Sequence, residues 1–227
     1  MSAASDLQRF YELLEGVAKQ PRQASLLSEL TGRPAWPNRG VYFFREPGEE
    51  RLAYPSALRI VRVGTHAVSA GSKSKLWGRL RTHRGDRAGG GNHRGSVFRL
   101  HVGAALLAQT QTQHPTWGVG SSAPKEIRVQ EADIERQVSA YLGTMSVLWI
   151  DVPDEPSKSS TRAYIERNSI ALLSMQLTPI DRPSDGWLGL ASPHEAIRRS
   201  GLWNVNYVTE RYDPEFLDVL DTFVAKV

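Results

Sequence analysis

A chain of 227 residues with 40% hydrophobic side chains is long enough to bury one sizeable core, as a single domain with insertions or a domain with an accessory layer. It contains no cysteine, which excludes disulfides, thiolate catalysis and cysteine-type zinc sites, and no run of about 18 apolar residues that would cross a membrane. The net charge of +4 is unevenly placed. Between Arg59 and His101 ten Lys or Arg face one acid, Asp86, so that segment carries +9 and the rest of the chain −5. Such asymmetry is expected of a footprint for a polyanion, but a solvated basic face has the same composition.

The opening MSAASDLQRFYELLEG is charged rather than signal-like, which predicts a cytoplasmic protein. Residues 5–19 place Leu7, Phe10, Leu13, Leu14 and Val17 at helical spacing, with Ser5 or Asp6 as cap and Pro21 as stop. The loop GRPAWPNRG leads into a strand over Val41–Phe44, and the turn PGEE follows. LRIVRVG, Leu58–Gly64, is a second strand that a hairpin can pair with the first. Ser72–His83 predicts a helix capped by Ser72 or Ser74, with Leu76, Trp77 and Leu80 facing inward.

The glycines of Gly85–Gly95 predict a loop, because consecutive glycines lose too much backbone entropy in regular structure. SVFRLHVGAALLAQ predicts a helix, Thr110–Ser122 an exposed excursion, and Glu131–Leu142 another helix. Ser146–Asp154 is nearly continuously apolar, as in a strand buried on both faces. Asp151, Asp154 and Glu155 then read as a solvated turn. Ser159–Met175 is a periodic helix with Ile165, Ile170, Leu172 and Leu173 for the core. After Pro179 come Pro/Gly punctuation, the segment LWNVNYV and a last helix that Pro214 can open. The order predicts an α/β fold: a small three-stranded, mostly antiparallel sheet flanked by helices, with an N-terminal helix and a C-terminal extension.

On these elements, Gly40-Val41-Tyr42, Arg62-Val63-Gly64, Arg79 and His83 one helical turn apart, and Glu166 within AYIERNSIALL resemble, in order and in context, a GIY-YIG nuclease domain. The resemblance spans roughly Arg39 to Ile180. It implies a helical extension over 1–38, a nuclease domain over 39–180 with an inserted basic Gly-rich loop, and a C-terminal extension over 181–227 packed on it. Two positions depart from the family pattern. Arg62 stands where the second motif has tyrosine, so that phenol's role is lost or passes to Tyr54 or His66. Position 178 is Thr where the family has asparagine, with Asn204 or Asn206 as substitutes. The long interval between motifs, the GGGNHRGSVFRLHVG block and the WNVNYV tail are more similar to the compact restriction endonucleases of the superfamily, or to relatives in bacterial defence, than to repair or homing members.

The resemblance implies a metal-dependent endonuclease acting on double-stranded DNA. Glu166 would coordinate one Mg²⁺ or Mn²⁺ per active site. Tyr42 would be the general base, a phenol of ordinary pKa about 10 that needs a nearby cation. Arg79 would hold phosphate oxygens, and His83 would accept or relay a proton. Arg62, His66, Lys73, Lys75, Arg81, Arg84, His93 and Arg94 are the expected DNA contacts, mostly to backbone. Taken singly, each of these residues is more often a core aromatic or a surface charge; their joint order favours a site. No nucleotide cofactor is expected, since no G-x-x-x-x-G-K-[ST] occurs. A double-strand cut from one site per chain requires two chains or two binding events, which admits a homodimer. The competing reading is a non-catalytic nucleic-acid-binding module on a degenerate nuclease scaffold, with Arg62 as the mark of decay.

Overall fold

A computed structural model describes residues 2–33 and 35–226; Pro34 of the GRPAWPNRG loop lies outside them. Four antiparallel strands form one sheet in the order β1-β4-β2-β3, with β1 at Ser25–Leu26, β2 at Gly40–Glu50, β3 at Leu58–Gly64 and β4 at Ser146–Asp151. The expected three strands become four because β1 is two residues long and offers no alternation to read. It pairs Ser25 with Val147 and Leu26 with Ser146. The expected PGEE turn lies inside β2. Register shifts after Phe44 and after Arg45 absorb Pro47 and Gly48, and pairing resumes at Glu50 with Leu58.

Helices cover both faces of the sheet, which is why its central strands read as apolar runs. Val41, Phe43, Leu148 and Ile150 pack beneath α1 (Ala3–Ala18), α6 (Thr161–Leu173) and α8 (Phe216–Val224). The alternate residues Tyr42, Phe44, Val147 and Trp149 pack beneath α2 (Leu76–Arg84), α3 (Val97–Gln109) and α5 (Ala132–Gly143). Phe10 of α1 meets Phe43 edge to face at 5.9 Å, and each such fully buried ring stabilises by about 1.5–3 kcal/mol relative to exposure.

Helix ends differ from expectation where side-chain caps decide them. Ser2, not Ser5 or Asp6, caps α1: its Oγ accepts the Ser5 N–H at 3.2 Å, while Ser5 Oγ accepts the Ser2 N–H at 3.0 Å. Asp6 is buried and accepts from Tyr212 Oη at 2.8 Å. α2 begins at Leu76, after an extended Lys75 that caps without a side-chain bond; Ser72 and Ser74 precede the helix. α8 starts at Phe216, two residues past Pro214. The short elements α4 (Lys125–Gln130), α7 (Glu195–Ser200) and the 3₁₀ turns His93–Gly95 and Leu188–Ala191 lie where no helix was expected, being too short to show a period. The Thr110–Ser122 excursion is anchored by Trp117, whose Nε1 donates to Leu100 O at 3.0 Å.

The C-terminal segment is bonded into the sheet. Glu46 of β2 is buried and accepts from Tyr141 Oη, from Trp187 Nε1 at 3.1 Å and from Trp203 Nε1 at 3.2 Å. Burial raises the pKa of its carboxyl. Trp203 N–H donates to Val61 O at 2.8 Å, and the Asn204 amide bonds both the N–H and the C=O of Val63, at 3.0 and 2.8 Å. Among the described residues no helix is long and apolar enough to cross a membrane.

At the open end of the β2–β3 ribbon Tyr42 pairs with Gly64, and its ring lies across the glycine. A Cβ there would sit 2.4 Å from Tyr42 Cζ and Oη. Gly64→Ala should therefore destabilise by about 1–3 kcal/mol, as overpacking does. Gly16→Ala, with nothing within 4 Å of the added Cβ, should be neutral or stabilising as a helix substitution. Urea midpoints of the two variants check this.

Candidate active site

Four of the expected residues converge where β2 begins and β3 ends. Tyr42 is 1% exposed, and its Oη lies 2.9 Å from Nε2 of His83 on α2. His83 is itself buried, with Nδ1 2.7 Å from Ser96 Oγ. Ser96 caps α3, its Oγ accepting the Arg99 N–H at 3.2 Å. The hydroxyl proton of Ser96 is then free for His83 Nδ1. Assigned from this network, the His83 proton sits on Nε2 and points at the Tyr42 oxygen, leaving the Tyr42 proton directed toward the site. Burial, and then the charges of Arg79, Arg62 and Arg99, hold His83 well below the ordinary imidazole range. Neutral His83 thus orients Tyr42 as a donor.

Glu166 reaches the same place from α6, in the opposite layer. Its Oε1 accepts the Thr65 N–H at 3.0 Å, and Thr65 Oγ1 donates to Gly40 O at 2.9 Å. One residue past the Gly64 contact, the chain therefore joins the first motif strand to the carboxylate. Burial raises Glu166 to about 7, against the opposing pull of Arg62, the Thr65 N–H, Arg79 and Arg162. The loop is held by Arg162, fully buried on α6, which donates to the carbonyls of His66 and Ala67 and to Asp154. Asp154, expected to be solvated, is this arginine's partner and also accepts the Arg162 N–H at 3.0 Å. Asp151 and Glu155 are exposed.

Arg79 donates to Gly95 O at 3.1 Å, and its charge acts on Arg62, His66, His83 and Glu166 together. Arg62 pairs with Phe44 across the ribbon, which puts it on the Tyr42 face. Its Nη1 donates to Trp203 O at 2.6 Å, and its guanidinium lies 4.6 Å over the Phe98 ring. His66 is buried beside them. Its Nδ1 faces a carbonyl, Ser74 O at 3.2 Å, so it carries the proton there and Nε2 is a lone pair without a protein partner. Burial, then Arg162, lowers its pKa to about 4. Tyr54 cannot replace the missing phenol: it lies at the far end of the ribbon, half exposed, under the Arg51 guanidinium at 4.6 Å. Asn204 is occupied by Val63, and Asn206 is exposed.

The expected DNA contacts divide. Lys73 and Lys75 are exposed and, with Asn38, Arg39 and Ser72, line an open groove of about 580 Å³. Arg81 is exposed. Arg84 donates to Leu30 O at 2.5 Å and lies over the Trp77 ring. His93 and Arg94 serve the interior: His93 donates to Glu135 at 3.0 Å and accepts the Gly118 N–H at 3.1 Å, while Arg94 forks onto Glu131 at 2.6 and 2.8 Å. Ser96, Thr65 and Arg162 carry the site without having been singled out in the sequence. Only Ser96, a serine opening a helix, had a readable signal. Among the described residues no group of three or more His, Asp or Glu side chains could hold a metal. Glu166 alone fits a hard cation whose other ligands are waters and a phosphate.

The antiparallel α/β domain thus brings a tyrosine–histidine pair, a lone helical carboxylate and guanidinium groups to one end of its sheet. The sequence profile described as GIY-YIG domain matches residues 1–227, and the chain belongs to that family, whose domains are endonucleases acting on DNA. Comparison with curated proteins and with solved structures returns no match.

Two outcomes follow from this geometry. The Glu166 carboxyl is raised from 4.5 to about 7 on folding, so its stabilising contribution is complete below about 4.5 and is lost as pH rises through about 7. In metal-free buffer Glu166→Gln should therefore gain on the parent in thermal midpoint between pH 5 and 8; a gap that stays constant refutes the linkage. Ser96→Ala removes the cap of α3 and should lower stability by about 1 kcal/mol. The ¹⁵N shifts of His83 should lose their Nε2–H preference in the same variant.

Proposed function

We propose that this chain is a metal-dependent DNA endonuclease that hydrolyses phosphodiester bonds in restriction or phage defence. The observation that carries the reading is the meeting of Tyr42–His83 and Glu166–Thr65 from opposite layers at Gly40 and Gly64, framed by Arg62 and Arg79. Hydrolysis needs a deprotonated water, a counter-charge for the phosphate and help for the departing oxygen. Tyr42 first gives up its hydroxyl proton to solvent and then, as a phenolate whose oxygen the His83 Nε2–H supports, takes the proton of the attacking water. Arg79 grips the phosphate. Glu166 holds the cation, Mg²⁺ or Mn²⁺, which when bound supplies Lewis acidity. Because burial and lone standing weaken Glu166 as a ligand, metal occupancy depends on bound DNA. The groove of Arg39, Lys73 and Lys75 tracks the backbone without reading sequence. The defence role rests on the resemblance to compact restriction enzymes, and a double-strand cut requires two chains or two sequential events.

The test is incubation of purified protein with plasmid and phage DNAs, modified and unmodified, in Mg²⁺ or Mn²⁺. Cleavage should stop with EDTA and fall by about 10²-fold or more in Tyr42→Phe and Glu166→Gln. Salt-sensitive binding, unchanged by Glu166→Gln and without cleavage in any metal, would instead select a binding module that has lost its chemistry.

A further inference from the structure

We infer that Arg62 is a catalytic phosphate ligand: its buried guanidinium takes a non-bridging oxygen of the scissile phosphodiester together with Arg79, in the place where the family has a phenol. The inference rests on the nuclease reading and deepens it.

Six arginines of the described residues are buried: Arg45, Arg51, Arg59, Arg62, Arg99 and Arg162. Five of them hold a carboxylate: Arg45 with Glu15, Arg51 with Asp181, Arg59 with Glu49, Arg99 with Glu135 and Arg162 with Asp154. Arg62 has no ion pair among the described residues. It is 8% exposed, its Nε is buried without a partner, and its one main-chain bond is to a neutral carbonyl, Trp203 O. An uncompensated buried charge is strongly destabilising, and folds retain one where an anion is to arrive.

The surroundings specify that anion. Arg62 lies on the Tyr42 face of the ribbon, and the bond to Trp203 with the Phe98 ring beneath fixes the plane of its guanidinium. The charge of Arg79 disfavours that of Arg62, and Glu166 opposes this only in part. A tetrahedral oxyanion between two planar donors relieves that repulsion, and a guanidinium fork suits phosphate better than a point charge does.

Arg62→Gln separates anchoring from charge, since the glutamine amide can still donate to Trp203 O. In metal-free buffer of fixed ionic strength, inorganic phosphate should stabilise the parent against heat more than chloride does. Arg62→Gln should melt higher than the parent without phosphate and should lose about tenfold or more in phosphate affinity. Arg62→Lys, which keeps charge but not the fork, should fall between them. On cleaved DNA, Arg62→Gln should lower kcat about 10²-fold with KM little changed. Phosphate affinity within threefold of the parent in Arg62→Gln, or kcat within threefold, overturns the assignment. Should Arg62→Gln fail to fold, unchanged phosphate affinity in Arg62→Lys overturns it instead. A parent that binds phosphate through Arg62 but cuts no DNA would sink the nuclease reading and leave the anion site standing.

Discussion

The site depends on one close approach, the hydroxyl end of the Tyr42 ring lying against Gly64. Any side chain at residue 64 would lift the ring off β3 and carry its hydroxyl away from His83. The next residue turns at once, so that the Thr65 N–H meets Glu166 and its hydroxyl meets Gly40 O. Gly40 in turn lets β2 and β4 close, since a Cβ there would sit 2.4 Å from Ile150 O. Two missing side chains, one on each strand, allow groups from both layers of a covered sheet to reach a common point.

Around that point the stability of the domain and its chemistry draw on the same residues. Ser96 ends one helix and also aligns His83; Arg162 straps a loop and its charge also opposes the effect of burial on Glu166. The neutral histidine and the protonation-prone glutamate both result mainly from burial, and burial is what the core requires. Little of the site's geometry can therefore be altered without touching packing. Arg62 is the exception among the buried arginines of the described residues, the one without a carboxylate partner.

Much of this was readable in the amino-acid order. The principal strands and longer helices follow from apolar runs and 3.6-residue spacing, and the motif resemblance singled out Tyr42, Arg79, His83 and Glu166, which the fold brings to one end of the sheet. What stayed hidden is nonlocal. β1 is too short to alternate, and PGEE carries turn residues yet is absorbed by irregular pairing in β2. His93 and Arg94 sit in a basic, glycine-rich stretch that looks made for phosphate, but Glu135 and Glu131, about forty residues on, claim them. Asp154 looked solvated because its arginine is eight residues away on the next helix. Composition shows that charges are present; only the fold shows which have already found partners.

Trp203 has a bearing on how the protein comes into being. Its carbonyl receives Arg62, its indole reaches Glu46, and its N–H joins Val61. On the ribosome the strands, the tyrosine and the glutamate all precede it, so a nascent chain cannot close this set of bonds until residue 203 has emerged.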